Sequence, residues 1–258
     1  MLTIDEQRGE VVVHEADGPG RTLRMDSAEA FEAVSSAWLR CGWDVKYVYS
    51  FTWLGRPMIQ LPEDVVRMQE LIWRVQPDVL VETGVAHGGS LVFYASLFAA
   101  IGKGRVIGVD IDIRMGNRAA IEGHVLAPRI ELIEGSSVAP ATLAAVRAAI
   151  RPGERVLAVL DSDHTRDHVA AELAGYAPLV TPGSYLVVCD GVMADFALAP
   201  RGSPDWTWNN PLSAVDDFLM ENRKFVAEEP PFAFNEGRVR SRATYWPRCF
   251  LRRLGGAA

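Results

Sequence analysis

The 258-residue sequence predicts an α/β protein with a doubly wound, mostly parallel sheet. Three observations lead there. Five short apolar runs, at residues 79–81, 106–109, 130–133, 156–160 and 185–188, alternate with segments long enough for helices; strands covered on both faces read as such runs. The first run enters a glycine-bearing turn and then an apolar helix, through Glu82-Thr83-Gly84-Val85-Ala86-His87-Gly88-Gly89-Ser90. Acids follow the runs directly or within two residues, among them Glu82, Asp110, Asp161 and Asp190.

In chain order, residues 11–14 make a short β-like piece, which Asp17-Gly18-Pro19-Gly20 interrupts. Asp26 and Ser27 can cap a helix over residues 28–41, where Phe31, Val34, Trp38 and Leu39 recur at helical spacing. Residues 43–61 read as an ordered loop: Tyr47, Tyr49, Phe51 and Trp53 either cover a pocket or fasten the helical arm to the body. Pro62, Glu63 and Asp64 suit a helix's first turn, and Val65, Met68, Leu71, Ile72 and Val75 form its apolar stripe. After the five strand-and-helix units, Trp206 and Trp208 lie in a Pro- and Gly-rich stretch read as a functional or interface loop. A helix over 212–221 and a β-like piece over 243–251 finish the chain. The expected division is an N-terminal arm with its aromatic loop at 1–61, serving as a lid or in oligomer contacts, and a main domain at 62–258.

Composition narrows the partners. A charged fraction of 23% with mixed signs is that of an ordinary globular protein. A net charge of -7 argues against a nucleic-acid backbone as main partner, since phosphate binding depends on Lys and Arg. The three cysteines, Cys41, Cys189 and Cys249, have no CxxC spacing, which fits a reducing cytoplasm. No apolar run is long enough for a bilayer, and residues 1–10 are unlike a signal peptide. No membrane partner is expected.

The chemistry gathers at the strand ends. Gly84 allows a tight turn, and free N–H groups at the following helix start can hold a carboxylate or phosphate. The loop is neither GxGxxG nor GxxxxGK[ST], so it supports neither dinucleotide binding nor a P-loop. Asp110 closes the second strand where a carboxylate can accept both hydroxyls of a ribose. Glu82, the glycine loop and Asp110 together suit S-adenosylmethionine (SAM), with His87 ordering the loop or meeting the cofactor's edge. The fourth strand delivers Asp161-Ser162-Asp163-His164, and the fifth Asp190. Asp161 and Asp163 can divide metal coordination and acceptance of a substrate hydroxyl proton between them. Carboxylates from adjacent strands, Asp161 and Asp190, can fix Mg²⁺, which would acidify that hydroxyl. His164 and His168 stand i, i+4; His164 reads as a support to the metal residues or a substrate contact and His168 as packed or capping, ahead of zinc ligation.

These residues resemble the cephalosporin hydroxylase and rhamnosyl O-methyltransferase family over roughly residues 43–251. The resemblance runs through Trp43-Asp44-Val45-Lys46-Tyr47, Trp53-Leu54-Gly55-Arg56-Pro57, the glycine loop, Gly108-Val109-Asp110-Ile111-Asp112-Ile113-Arg114, Glu134-Gly135-Ser136-Ser137, Asp161-Ser162 with His164 and His168, and Asn209-Asn210-Pro211. It implies a Rossmann-like, class I methyltransferase domain in which Glu82, Gly84, Ser90, Asp110, the turn Gly135, Ser136 and Ser137, and the neighbouring Asp161 contact SAM. It also implies Mg²⁺ near Asp161 and Asp190, a homo-oligomer, and O-methylation of a hydroxylated small molecule such as a sugar, glycoside or antibiotic-type metabolite. One departure is Cys189 ahead of Asp190, where some relatives carry an acidic pair; a thiol is a poor Mg²⁺ ligand.

Two other readings compete. Asp161-Ser162-Asp163-His164-Thr165 after an apolar strand matches the Asp-x-Asp-x-Thr of haloacid-dehalogenase-type phosphatases, with Asp161 as nucleophile. Against it, three strand-and-helix units precede the motif. A non-catalytic binding module is the other, and it is favoured if the acids pair with Arg166 or another base and close the site.

Overall fold

The structure, a computed structural model, describes residues 1–15, 18 and 20–255; Asp17 and Pro19 of the expected N-terminal break lie outside the described residues. Five parallel strands form the centre: β6 (Val79–Thr83), β7 (Arg105–Asp110), β8 (Ile130–Glu134), β9 (Val156–Leu160) and β10 (Tyr185–Val188). Two further strands, β11 (Phe225–Ala227) and β12 (Phe250–Arg253), extend the edge antiparallel, giving the order β11-β12-β10-β9-β6-β7-β8. From β6 the chain steps outward to β7 and β8, then returns to β9 on β6's other side. The topological switch point therefore lies between β6 and β9, where open α/β sheets hold ligands at the strands' carboxyl ends.

The helices cover both faces as the apolar runs required. They are α2 (Pro62–Val75), α3 (Gly89–Ile101), α4 (Met115–Glu122), α5 (Pro140–Ala149), α6 (Arg166–Tyr176) and α7 (Pro211–Glu221), with α1 (Ala28–Asp44) in the N-terminal arm. Pro62 opens α2 with Glu63 and Asp64 in its first turn, matching the positive end of the helix dipole. β6 and β9 are buried throughout, as is most of α3 from Leu91 to Ala95, so the glycine loop hangs between rigid elements.

Two regions differ from the sequence expectation. The arm carries a three-stranded antiparallel sheet, β1 (Leu2–Asp5), β2 (Glu10–Val13) and β3 (Arg21–Arg24), of which only β2 is legible in sequence. Val11 is the one fully covered side chain there; the outer strands are four residues each and mostly exposed, leaving little alternation to read. At the C-terminus the strand begins at Phe250 rather than near Ala243, because residues 244–246 turn to bind α2: Thr244 Oγ1 and the Tyr245 N–H both donate to the buried Asp64 carboxyl.

Residues 43–61 are ordered, with the two-residue strands β4 (Thr52–Trp53) and β5 (Arg56–Pro57) forming a hairpin. This strap lies across the glycine loop. The Arg56 guanidinium donates to the His87 carbonyl at 2.6 and 2.9 Å and to Asn117 Oδ1 at 3.1 Å, and Trp53 Nε1 donates to Ser96 of α3 at 3.1 Å.

Candidate active site

Gly84 turns the chain out of β6 at φ +88°, and its N–H donates to the Val109 carbonyl at 2.8 Å. A Cβ at this position would stand 2.0 Å from the Asp161 carbonyl oxygen. The absent side chain thus brings the glycine loop against the end of β9, coupling the loop to the acid cluster of the fourth unit. Asp110 holds the loop from the other side: its Oδ2 accepts the N–H groups of Val85 at 2.8 Å and Ala86 at 3.2 Å, and its Oδ1 accepts that of Asp112 at 3.1 Å. The Gly135 N–H reaches the Asp110 carbonyl at 2.8 Å, bringing the turn after β8 to the same rim.

Glu82 is fully buried and accepts the Ser90 hydroxyl at 2.6 Å, while its other oxygen lacks a partner. Burial pushes its carboxyl up to about 8, so at neutral pH it carries a proton. Glu82 and Ser90 therefore meet each other beneath the loop. His87 is tied in through its carbonyl to Arg56. Ser136 accepts the Ala139 N–H at 3.0 Å, and the Ser137 carbonyl accepts the Tyr176 hydroxyl at 3.0 Å. Ser137 Oγ lies 3.1 Å from His168 Nε2, which is also 3.3 Å from Ser162 Oγ and 3.6 Å from the buried Glu172 carboxylate. His168 is packed, the reading preferred over the metal pair that its i, i+4 spacing with His164 resembles, and it links the turn after β8 to the turn after β9.

Beside the loop opens a pocket of about 260 Å³. Asp161 and His164 from the end of β9 and Asp190 from the end of β10 share its lining with Gln60 and Arg201, and Trp43, Tyr49, Trp206, Tyr245 and Trp246 form aromatic walls. Trp43 packs edge-on against Trp206 and Tyr245, at ring separations of 5.9 and 5.4 Å, so helix α1 supplies a fixed wall. His164 Nε2 lies 3.5 Å from Asp190 Oδ2 and 4.0 Å from Asp161 Oδ1. Loss of hydration raises both carboxyls above the usual range; the Asp190 charge raises Asp161 further, while His164 offsets part of the shift. Asp190 adopts a left-handed backbone, φ 59°, which costs energy for a residue with a side chain and aims the carboxylate at its neighbours.

The structure does not bring Asp163 to this pocket. Its carboxylate is exposed at the start of α6, where Oδ1 accepts the Thr165 N–H at 2.8 Å. Partial burial opposes ionisation there, but the Thr165 hydrogen bonds and the nearby His168 and His164 outweigh it and hold the group below the usual range. Arg166 binds Asp217 of α7 at 2.6 Å and leaves the acids of the pocket open. Cys189 is buried, its thiol pushed well above the usual range by burial, and it is not among the residues that line the pocket. Asn209 and Asn210 are structural: one accepts the Arg166 N–H, the other caps α7. Among the described residues no group of three or more His, Cys, Asp or Glu is arranged to hold a metal. A larger depression of about 740 Å³ between the arm and residues 241–247 is lined by none of Glu82, Asp110, Asp161 or Asp190.

Sequence reasoning missed Gln60, Arg201 and Glu172. A polar residue inside the apolar stretch Met58–Leu61 was the only signal for Gln60; Arg201 and Glu172 gave none, since their roles depend on partners distant in sequence.

A seven-stranded sheet in this order, with a glycine loop at its switch point and acids at the ends of neighbouring strands, is the fold of class I SAM-dependent methyltransferases. The sequence profile of the rhamnosyl O-methyltransferase/CmcI family matches residues 45–254, and the chain belongs to that family of O-methyltransferases. The rhamnosyl O-methyltransferase of Mycobacterium leprae (strain TN) is 32% identical over 190 residues, 71% of this chain and 78% of the relative. That of Mycobacterium bovis (strain BCG / Pasteur 1173P2) is 32% identical over 174 residues, and the match spans 66% of each chain. Among solved structures, an apo-structure of CmcI aligns with a TM-score of 0.53 at 20% identity, covering 81% of this chain and 78% of that one. A CmcI structure with Mg and SAM aligns at 0.52 and 18% identity, covering 80% and 78%. Family membership removes the phosphatase reading. Among the described residues, no helix is long and apolar enough to cross a membrane.

Proposed function

We propose that the chain transfers the methyl group of SAM to a hydroxyl of a small molecule that offers a single polar ring, such as a sugar, with Mg²⁺ assisting. The observation that carries this reading is the pocket in which Asp161, Asp190 and His164 face aromatic walls directly beside the Gly84 loop. At about 260 Å³ it is smaller than typical ligand pockets, which run from roughly 300 to 1,000 Å³, so one ring enters and the rest of a larger substrate stays outside. The relatives' name, rhamnosyl O-methyltransferase, agrees with a sugar ring.

The residues present fit a divalent cation. Asp161 and Asp190 leave adjacent strands into one pocket and each is raised in pKa, a like-charge pair that a hard cation would relieve. Mg²⁺ is commonly held by one or two carboxylates with water filling the remaining positions, which is what this pair offers without Cys189. Bound there, the cation would supply Lewis acidity to the substrate hydroxyl, as SAM would supply the methyl group.

The chain's own residues do the rest. Gly84 and the Gly135–Ser137 turn shape the cofactor cleft, and Asp110 meets the ribose in this reading while it fixes the loop amides. Glu82 and Ser90 form the floor under the loop. Trp43, Trp206 and Tyr245 orient the ring and exclude water, which matters because methyl transfer depends chiefly on in-line placement. His164, with Nε2 turned to both carboxylates, takes the hydroxyl proton. Residues 43–61 act as a wall of the substrate pocket.

The test is methyl transfer from labelled SAM to a panel of glycosides and phenols, with Mg²⁺ and with EDTA. Transfer to a glycoside that requires Mg²⁺ and disappears in Asp161→Ala supports the reading. Transfer unaffected by EDTA would remove the metal, and transfer only to phenols would remove the sugar.

A further inference from the structure

Gln60 lies at the end of the strap, just before α2, and lines the pocket together with Asp161 and Asp190. It is 5% exposed, yet neither its amide oxygen nor its amide nitrogen has a hydrogen-bond partner. Two more buried polar atoms in its vicinity share that condition, the Tyr94 hydroxyl and Oε1 of Glu82. Tyr94 feels both Glu82 and the Gln60 amide, and Asp161 feels the Gln60 amide in turn. Buried polar groups are normally paired, so four orphaned atoms in one neighbourhood ask for a common explanation.

With the Asp161 carboxylate ionised, as a bound cation requires, their chemistry permits one direction that pairs all four. The Asp161 carboxylate, when ionised, only accepts, so it takes an N–H of Gln60. The Gln60 carbonyl then needs a donor, and the Tyr94 hydroxyl is one. The Tyr94 oxygen can in turn accept from Glu82, whose Oε2 already receives the Ser90 hydroxyl and whose Oε1 is free to carry a proton. Three hydrogen bonds satisfy all four orphans and end on Asp161. Bonds of this kind are often long in an unliganded site and tighten when the ligand draws the first residue into place.

We propose that Gln60 is a positioning residue, its amide orienting the Asp161 carboxylate toward the divalent cation and itself held in register by Tyr94. The inference rests on the cation reading of Asp161 and Asp190. It explains why a polar side chain is buried in an otherwise apolar strap, and it gives this chain an outer support for a site in which Cys189 contributes nothing. Groups that support metal ligands in this way commonly change metal affinity by about 10- to 100-fold when removed.

The experiment is a calorimetric titration of Mg²⁺ into the full chain, without substrate, for wild type, Gln60→Met and Tyr94→Phe, with the thermal midpoint of each measured alongside. Gln60→Met keeps the length of the side chain and removes its polar atoms. The expected result is Mg²⁺ affinity about 10- to 100-fold weaker in Gln60→Met, a smaller loss in Tyr94→Phe, and thermal midpoints close to wild type. Wild-type affinity in both folded variants would overturn the role of Gln60 and leave the cation reading standing. Weakening only in proportion to lost folded protein would overturn it equally. If wild type itself takes up no Mg²⁺, the cation reading fails, and the inference with it.

Discussion

Replacing Gly84 by alanine tests the join between the glycine loop and the acid cluster. The new Cβ would meet the Asp161 carbonyl oxygen at 2.0 Å and its carbon at 2.6 Å, both backbone atoms with no rotamer to yield, at φ +88°. A side chain in the left-handed region costs about 1–2 kcal/mol, and forcing packed backbone apart adds about 1–3 kcal/mol. With roughly 2–4 °C of melting temperature per kcal/mol for a chain near this size, Gly84→Ala should lower the midpoint by about 10 °C. Gly153→Ala is the control: φ is +85° but nothing lies within 4 Å of the added Cβ, so only the backbone cost of about 1–2 kcal/mol applies. Thermal unfolding of both variants, with SAM affinity measured on each, provides the assay. Gly84→Ala should be the less stable and should lose SAM binding, while Gly153→Ala keeps it. Equal destabilisation with SAM binding intact in both would refute the close approach as the reason for the glycine.

Other expectations follow from the same contacts. Burial first of all raises Asp64 to about 7, against the hydrogen bonds from Thr244 and Tyr245. Its protonated form therefore stabilises the fold fully below the unfolded value of 3.8 and that contribution is lost as pH rises to about 7; in urea unfolding Asp64→Asn should gain on wild type between about pH 4 and 7, and parallel profiles would contradict this. Arg56→Met removes two hydrogen bonds from strap to loop and one to Asn117 of α4, and should cost about 1–3 kcal/mol in urea unfolding while weakening SAM binding. Of the three thiols only Cys41 is exposed, so a thiol reagent should titrate one group in the native protein and three after denaturation; rapid native reaction of Cys189 would contradict its placement.

The central strands were legible because burial on both faces leaves uninterrupted runs such as Val156-Leu157-Ala158-Val159-Leu160, which no surface position breaks. The same holds for the glycine loop and for Asp161 and Asp190, whose places follow from strand ends. What sequence could not give was what each acid touches. Asp110 spends both oxygens on loop and neighbouring amides, and Asp163 turns to the N-terminus of α6, distinctions set by a few ångströms of backbone path. The arm's outer strands stayed hidden because four-residue segments such as Arg21-Thr22-Leu23-Arg24 are stabilised by cross-strand pairing with little burial. Gln60 and Arg201 stand 141 positions apart in one pocket, a proximity that only the folded chain discloses.

The most direct test of the account is calorimetric titration of SAM into wild type and Asp110→Ala, each with Mg²⁺ and again with EDTA. The account predicts saturable binding to wild type that Asp110→Ala loses while remaining folded, because the loop amides of Val85 and Ala86 lose their anchor together with the proposed ribose contact. Folded wild-type protein that takes up no SAM under either condition would contradict it.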